Sequence, residues 1–181
     1  ARALVARGVH VYGLDLPAGI EKTGEVEGIT FLPGDVTDYA AVEAAFERVG
    51  QDERPLRTVV NCAGIAPGAR VLSKKGPHDP ALFAKTVSIN LNGTFNVLTA
   101  GAALMATQEP VDGTAGRGVI INTASIAAYE GQIGQIAYAA SKGGVVALTL
   151  PAARDLASSG IRVNTIAPGI VDTPLMARIT E

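Results

Sequence analysis

With 181 residues, 48% of them hydrophobic and 18% charged, the chain is sized for one globular domain rather than a disordered segment. A net charge of −2 gives no electrostatic case for binding nucleic acid. A single cysteine excludes an internal disulfide and fits a reducing compartment, and no uncharged apolar run approaches the ~18 residues of a membrane span.

Residues Ala1 to Gly8 read as the tail of a helix that opens before residue 1, with Gly8 as its stop. A strand follows over Val9–Leu14, rich in β-branched and aromatic residues and closed by Asp15. A second, short strand is expected at Ile29–Leu32. Tyr39–Val49 places apolar residues at 42, 45, 46 and 49, a helical period. Thr58-Val59-Val60 runs into Asn61 as a buried strand, and 83–105 reads as one long helix. The Gly/Thr/Asp-rich segment 110–117 is a loop, followed by a buried strand at Gly118–Asn122. Tyr138–Ser158 is helical, although Pro151 lies within it and predicts a kink or a local break. Gly160 then precedes a last strand, Ile161–Ile166. Alternating apolar strands and helices specify an α/β fold, a doubly wound parallel sheet of the Rossmann type covered on both faces. No internal repeat interrupts this order.

The strongest chemical signal is Tyr138-Ala139-Ala140-Ser141-Lys142, with Ser125 upstream of it. Residues i and i+4 share a helix face, so the Tyr138 phenol and the Lys142 ammonium can share a site. A free phenol titrates near 10 and is a poor acid or base at neutral pH, but an adjacent cation favours its phenolate. It can then exchange a proton with an alcohol/ketone pair. Ser125 lies just beyond a buried strand, where open α/β sheets bind ligands, and its hydroxyl could hold the substrate oxygen. Asp15, at a strand end, could accept the two hydroxyls of an adenosine ribose and repel a 2′-phosphate; no cation stands in Leu16, Pro17 or Ala18. The plain alternatives are a surface tyrosine and lysine and an ordinary turn aspartate. Cys62 has no histidine base near it in sequence and reads as a packed small residue. His10 alternates within a strand and His78 lies in a loop, a placement without metal-site spacing.

Ser125, Tyr138 and Lys142 resemble the catalytic constellation of short-chain dehydrogenases/reductases, and further motifs fall in that family's order. Asn61-Cys62-Ala63-Gly64 resembles the motif ending the family's fourth strand. Asn90, in Ser88-Ile89-Asn90-Leu91-Asn92, resembles the asparagine that completes a catalytic tetrad. Asp35 and Val36, in Gly34-Asp35-Val36-Thr37, resemble the segment at the adenine, and Pro168-Gly169 with Thr173 the segment beside the nicotinamide. More narrowly, 9–176 resembles the type 2 3-hydroxyacyl-CoA dehydrogenases, also known as 17β-hydroxysteroid dehydrogenase type 10. Stretches such as Asn92-Gly93-Thr94-Phe95-Asn96-Val97 and Thr149-Leu150-Pro151 carry that likeness, and Pro151 recurs in the subgroup.

The resemblance implies an NAD-dependent oxidoreductase of fatty acid metabolism that interconverts a 3-hydroxyacyl-CoA and a 3-oxoacyl-CoA. Tyr138 is then the general acid/base. Lys142 holds the nicotinamide ribose and lowers the tyrosine pKa, Ser125 binds the substrate oxygen, and Asn90 holds a water leading from Lys142 to solvent. Asp15, Asp35, Val36, Cys62, Ala63, Gly64, Pro168, Gly169 and Thr173 line the cofactor, and Gln132 contacts the substrate. A homotetramer is implied, with helices 83–105 and 138–158 paired across a two-fold axis, where Gly143, Gly144, Ala147 and Ala152 permit close contact. The expected location is cytoplasmic, with the mitochondrial matrix as the other option; neither nucleic acid nor membrane is an expected partner. The family's first strand, its glycine-rich pyrophosphate loop and its C-terminal substrate segment are not found within 1–181. Two other readings stay open: a 3-oxoacyl carrier-protein reductase, usually NADPH-dependent and disfavoured by Asp15, and a non-catalytic NAD-binding or scaffold protein on the same fold.

Overall fold

A computed structural model of the chain describes residues 1–172. Helix α1 (Arg2–Val5) gives way to Gly8, whose φ of 77° is the left-handed conformation that ends a helix cheaply. Strand β1 (Val11–Asp15) starts two residues later than expected and pairs in parallel with β2 (Ile29–Pro33). Helix α2 (Pro17–Thr23) between them was not expected. It is too short to show an apolar stripe, and Pro17 starts it with a preset φ. Helix α3 (Tyr39–Gly50) begins where the Asp38 carboxylate accepts the backbone N–H groups of Ala40 and Ala41. It buries Val42, Ala45 and Val49, three of its four periodic positions.

Strands β3 (Thr58–Asn61), β6 (Gly118–Thr123) and β7 (Ile161–Ile166) form a second parallel sheet in the order β3-β6-β7. Val59, Ile120 and Val163 lie on one rung of it, all buried. Over that face lies α5 (Gly93–Ala106), which contributes Val97, Leu98, Ala100, Ala102 and Met105 to the same core. A two-residue hairpin, β4 (Leu72–Ser73) with β5 (Gly76–Pro77), was also unexpected.

The long helix expected over 83–105 is three pieces: α4 (Pro80–Val87), a π-helical turn at Ser88–Asn92, and α5. A π turn inserts one residue per turn, and such turns are frequent at functional sites. Helix α6 (Ile136–Asp155) runs on through Pro151 as one element, without a break there. Pro151 and Ala147, one turn before it, are both exposed, so the carbonyl deprived of an N–H partner is open to water. By length and apolar content α6 could span a bilayer, yet it packs along β7, α4 and the turn after β6.

Strands β1 and β3 are not hydrogen-bonded to each other, so the parallel sheet is in two pieces. Contacts join the pieces above and below this gap. Val36 sits on Gly93, Asn96 Nδ2 donates to the Val36 carbonyl at 2.8 Å, and the Tyr12 hydroxyl donates to Asp52 at 2.7 Å.

Candidate active site

Nine of the fourteen candidate site residues lie at the carboxyl ends of strands: Asp15 ends β1, Asp35 and Val36 follow β2, Cys62–Gly64 follow β3, Ser125 follows β6, and Pro168 and Gly169 follow β7. The β6 and β7 exits are tied together, the Ala124 N–H donating to the Ile166 carbonyl at 2.8 Å and the Ile126 N–H to the Pro168 carbonyl at 2.9 Å. That second bond sets Pro168 beside Ser125.

Tyr138 and Lys142 stand one turn apart on α6, with Lys142 Nζ 5.8 Å from the tyrosine ring centroid. Lys142 is 5% exposed, and its ammonium donates to the Thr123 carbonyl at 2.6 Å. Burial holds its pKa below the ordinary lysine value, and coulombic interaction with Cys62 opposes that shift. Ser125 caps a single 3₁₀ turn, Ile126–Ala128, its Oγ accepting the Ala127 N–H at 3.1 Å. The hydroxyl keeps its own proton for another acceptor.

Asn90 is fully buried in the π turn. Its Oδ1 accepts the Ile65 N–H at 2.8 Å, while Nδ2 donates to the Ile65 carbonyl at 2.8 Å and to Ser141 Oγ at 3.0 Å. Both amide hydrogens therefore go to protein partners. The loop after β3 passes so close that a Cβ on Gly64 would lie 3.2 Å from Asn90 Oδ1 and 3.6 Å from Lys142 Nζ.

The carboxylates at the other sheet piece are exposed. Asp15 Oδ1 accepts the Leu16 N–H at 2.7 Å, and Asp35 Oδ1 accepts the Thr37 N–H and hydroxyl, both at 2.8 Å. The Gly34 N–H donates to the Asp15 carbonyl at 2.9 Å, which sets the two strand exits side by side. Cys62 is exposed, not packed; it has left β3 for an irregular loop where Ala63 and Gly64 are exposed too. Gln132 lies on the rim of a separate cleft of about 370 Å³, between the β4 approach (Ala69–Leu72) and the start of α6. Thr173 lies outside the described residues. His10 lies edge-on to Tyr12, its Nε2 3.1 Å from the Thr30 hydroxyl. Sequence reasoning missed Thr123, Ile65 and Ser141. Only Ser141 left a signal, as a hydroxyl in a run of small apolar residues beside Lys142.

The family model for short chain dehydrogenases matches residues 1–181. The chain belongs to the short-chain dehydrogenases. As a member it carries a Rossmann-like domain and uses a nicotinamide dinucleotide. This short-chain dehydrogenase is 47% identical to 3-hydroxyacyl-CoA dehydrogenase type-2 of Homo sapiens and 45% identical to that of Bos taurus, in each case over 100% of this chain and 71% of the relative. The crystal structure of 3-hydroxyacyl-CoA dehydrogenase type-2 from Mycobacterium avium superposes with a TM-score of 0.85 at 44% identity, covering 97% of this chain and 70% of that one. A short-chain dehydrogenase from Burkholderia cenocepacia, solved in complex with NADP, gives a TM-score of 0.81 at 26% identity over 98% of this dehydrogenase and 69% of that chain.

Proposed function

We propose that the enzyme interconverts 3-hydroxyacyl-CoA and 3-oxoacyl-CoA and prefers NAD(H) to NADP(H). The observation that carries the reading is the buried Lys142 ammonium. Among the described residues it has one protein acceptor, at 2.6 Å, and it stands one helical turn from Tyr138. An ammonium has three donors, so two are free for the hydroxyls of a ribose. The residues fit the cofactor at its other end too: Asp15 Oδ2 is free among the described residues, while Oδ1 is held by Leu16.

When bound, the nicotinamide ring supplies or accepts the hydride. The chain's own residues manage the proton. In the oxidative direction the Tyr138 Oη, as phenolate, takes the proton of the C3 hydroxyl; in the reductive direction it returns it to the forming alkoxide. Lys142 places its charge beside the tyrosine ring, 5.8 Å from the centroid. The Ser125 hydroxyl donates to the substrate oxygen and orients it. At the adenosine end, Asp15 accepts ribose hydroxyls and places a negative charge where a 2′-phosphate would lie. We further propose a homotetramer built on α5 and α6, a cytoplasmic or mitochondrial location, and a strand and pyrophosphate loop from outside 1–181 that fill the gap between β1 and β3.

The test is steady-state kinetics of the full-length enzyme with acetoacetyl-CoA and either NADH or NADPH. The reading expects robust turnover and a higher kcat/KM with NADH. Equal or better kcat/KM with NADPH removes the role given to Asp15, and no turnover of any 3-oxoacyl-CoA removes the substrate assignment.

A further inference from the structure

We infer that Ser141 is a positioning residue for the proton-transfer site, because its hydroxyl fixes the Asn90 amide and, through it, the loop that packs on Lys142. The inference rests on the dehydrogenase reading given above.

Ser141 is fully buried within a helix otherwise rich in Ala, Gly and Val. A buried hydroxyl is costly unless bonded, and this one has two partners. It accepts from Asn90 Nδ2 at 3.0 Å and donates to the Tyr138 carbonyl at 2.7 Å. The second bond is an ordinary back-bond within a helix. The first is not local, since it joins α6 to the π turn.

Asn90 grips Ile65 at two points, N–H and carbonyl, as a strand rung would. Those contacts are satisfied by only one orientation of the amide, because a flip would set like groups against each other. In that orientation one Nδ2 hydrogen serves the Ile65 carbonyl and the other points at Ser141. With an alanine at 141 that hydrogen has no acceptor and the correct orientation is no longer favoured at both ends.

The effect reaches the chemistry by contact. Gly64, next to Ile65, approaches both Asn90 Oδ1 and Lys142 Nζ closely enough that a Cβ there would lie 3.2 and 3.6 Å from them. If Asn90 slackens, this loop lifts from the ammonium. Ser141 and Lys142 are adjacent in sequence and about 100° apart around the helix. One faces the clamp while the other faces the site, so α6 presents the clamp and the cation as one rigid piece.

The experiment compares Ser141→Ala and Ser141→Thr in the full-length enzyme, alone and with Asn90→Ala. Ser141→Ala should lower kcat on the order of tenfold or more while KM for NADH moves less than about threefold. Ser141→Thr, which keeps the hydroxyl, should restore most of the rate. In the Asn90→Ala background the serine substitution should cost less than about twofold, because the shared contact is already gone. In the cofactor-free protein, hydrogen exchange of the Ile65 amide should accelerate on the order of tenfold in Ser141→Ala, with Val163 unchanged. A kcat within twofold of wild type, an undiminished loss in the Asn90→Ala background, or unchanged Ile65 protection overturns the inference. If the parent enzyme reduces no 3-oxoacyl-CoA, the functional reading fails by itself, and the Ile65 exchange rate still decides whether the clamp exists.

Discussion

The β3-β6-β7 sheet with α5 and α6 and the β1-β2 pair with α2 are both parallel strands with helices, but they differ in what they bury. Val59, Ile120, Ile161 and Val163 of the first sheet are all buried, as are five apolar residues of α5. No residue of β1, α2 or β2 is buried, and Leu14 is the member of those elements that packs, half-buried, against the main core. The assigned chemistry divides along the same line. Asn90, Ser125, Tyr138 and Lys142 belong to the well-packed piece, and the carboxylates that would read the adenosine end belong to the exposed one. Proton transfer needs groups held to a fraction of an ångström, whereas discrimination against a phosphate needs only a charge in the right region.

Substitutions should therefore split by region, with rate lost on one side and cofactor choice on the other. The largest effect belongs to Tyr138→Phe, which keeps the ring and removes the proton. A loss of about 10²–10⁴ in kcat is expected, with NADH binding largely retained in a fluorescence titration. Near-normal turnover would take the acid/base role away from the tyrosine. Next comes the gap itself. Residues 1–181 expressed alone leave the facing edges of β1 and β3 unpaired. Without a neighbour on that edge no residue of β1 is buried, in a domain whose whole stability is about 5–15 kcal/mol. No cooperative thermal transition is expected from that polypeptide, and a sharp transition with micromolar NADH affinity would show that the pieces need no strand between them.

A smaller change is expected from Asp15→Ala, which should narrow the NADH-over-NADPH ratio of kcat/KM on the order of tenfold and leave kcat with NADH nearly constant. A fall in kcat instead would mean that the two regions are not separable. The smallest effect concerns the Tyr12–Asp52 bond across the gap. The Arg54 side chain first, then its backbone N–H and the Tyr12 hydroxyl hold the Asp52 carboxyl well below the ordinary carboxylate range. A depressed folded-state pKa gives stability that is fully present above the unfolded value near 3.8 and is lost as pH falls below it. Asp52→Asn should make the melting temperature slightly less sensitive to pH below 4, with the variant melting slightly below the wild type at pH 7 and meeting it in acid. An equal acid sensitivity in the variant would mean that this carboxylate plays no part.

The same contrast governs how much could be read beforehand. The buried strands were legible because they are short runs of Val and Ile bounded by polar residues, and β3, β6 and β7 were expected to within a residue. The i, i+4 placement of Tyr138 and Lys142 was legible for the same reason, since a helix fixes it locally. The exposed piece gave less, because α2 is too short to show a period; elsewhere the β4–β5 hairpin has two residues per strand, too few for an alternation to show. The π turn at Asn90 escaped because one inserted residue barely disturbs an apolar repeat. The exposure of Cys62 escaped because sequence showed its chain neighbours but not the course of the loop. Partners such as Thr123 and Ile65 act through backbone atoms, which residue type does not reveal.

At the seam between the pieces, a Cβ on Gly93 would lie 2.5 Å from Val36 Cγ2. Nothing thicker than a hydrogen fits there, so the seam acts as a gauge block. It sets the span between the carboxylates on one side and the tyrosine and lysine on the other. A methyl group at 93 would have to push the jaws apart before it touched either end of a bound dinucleotide.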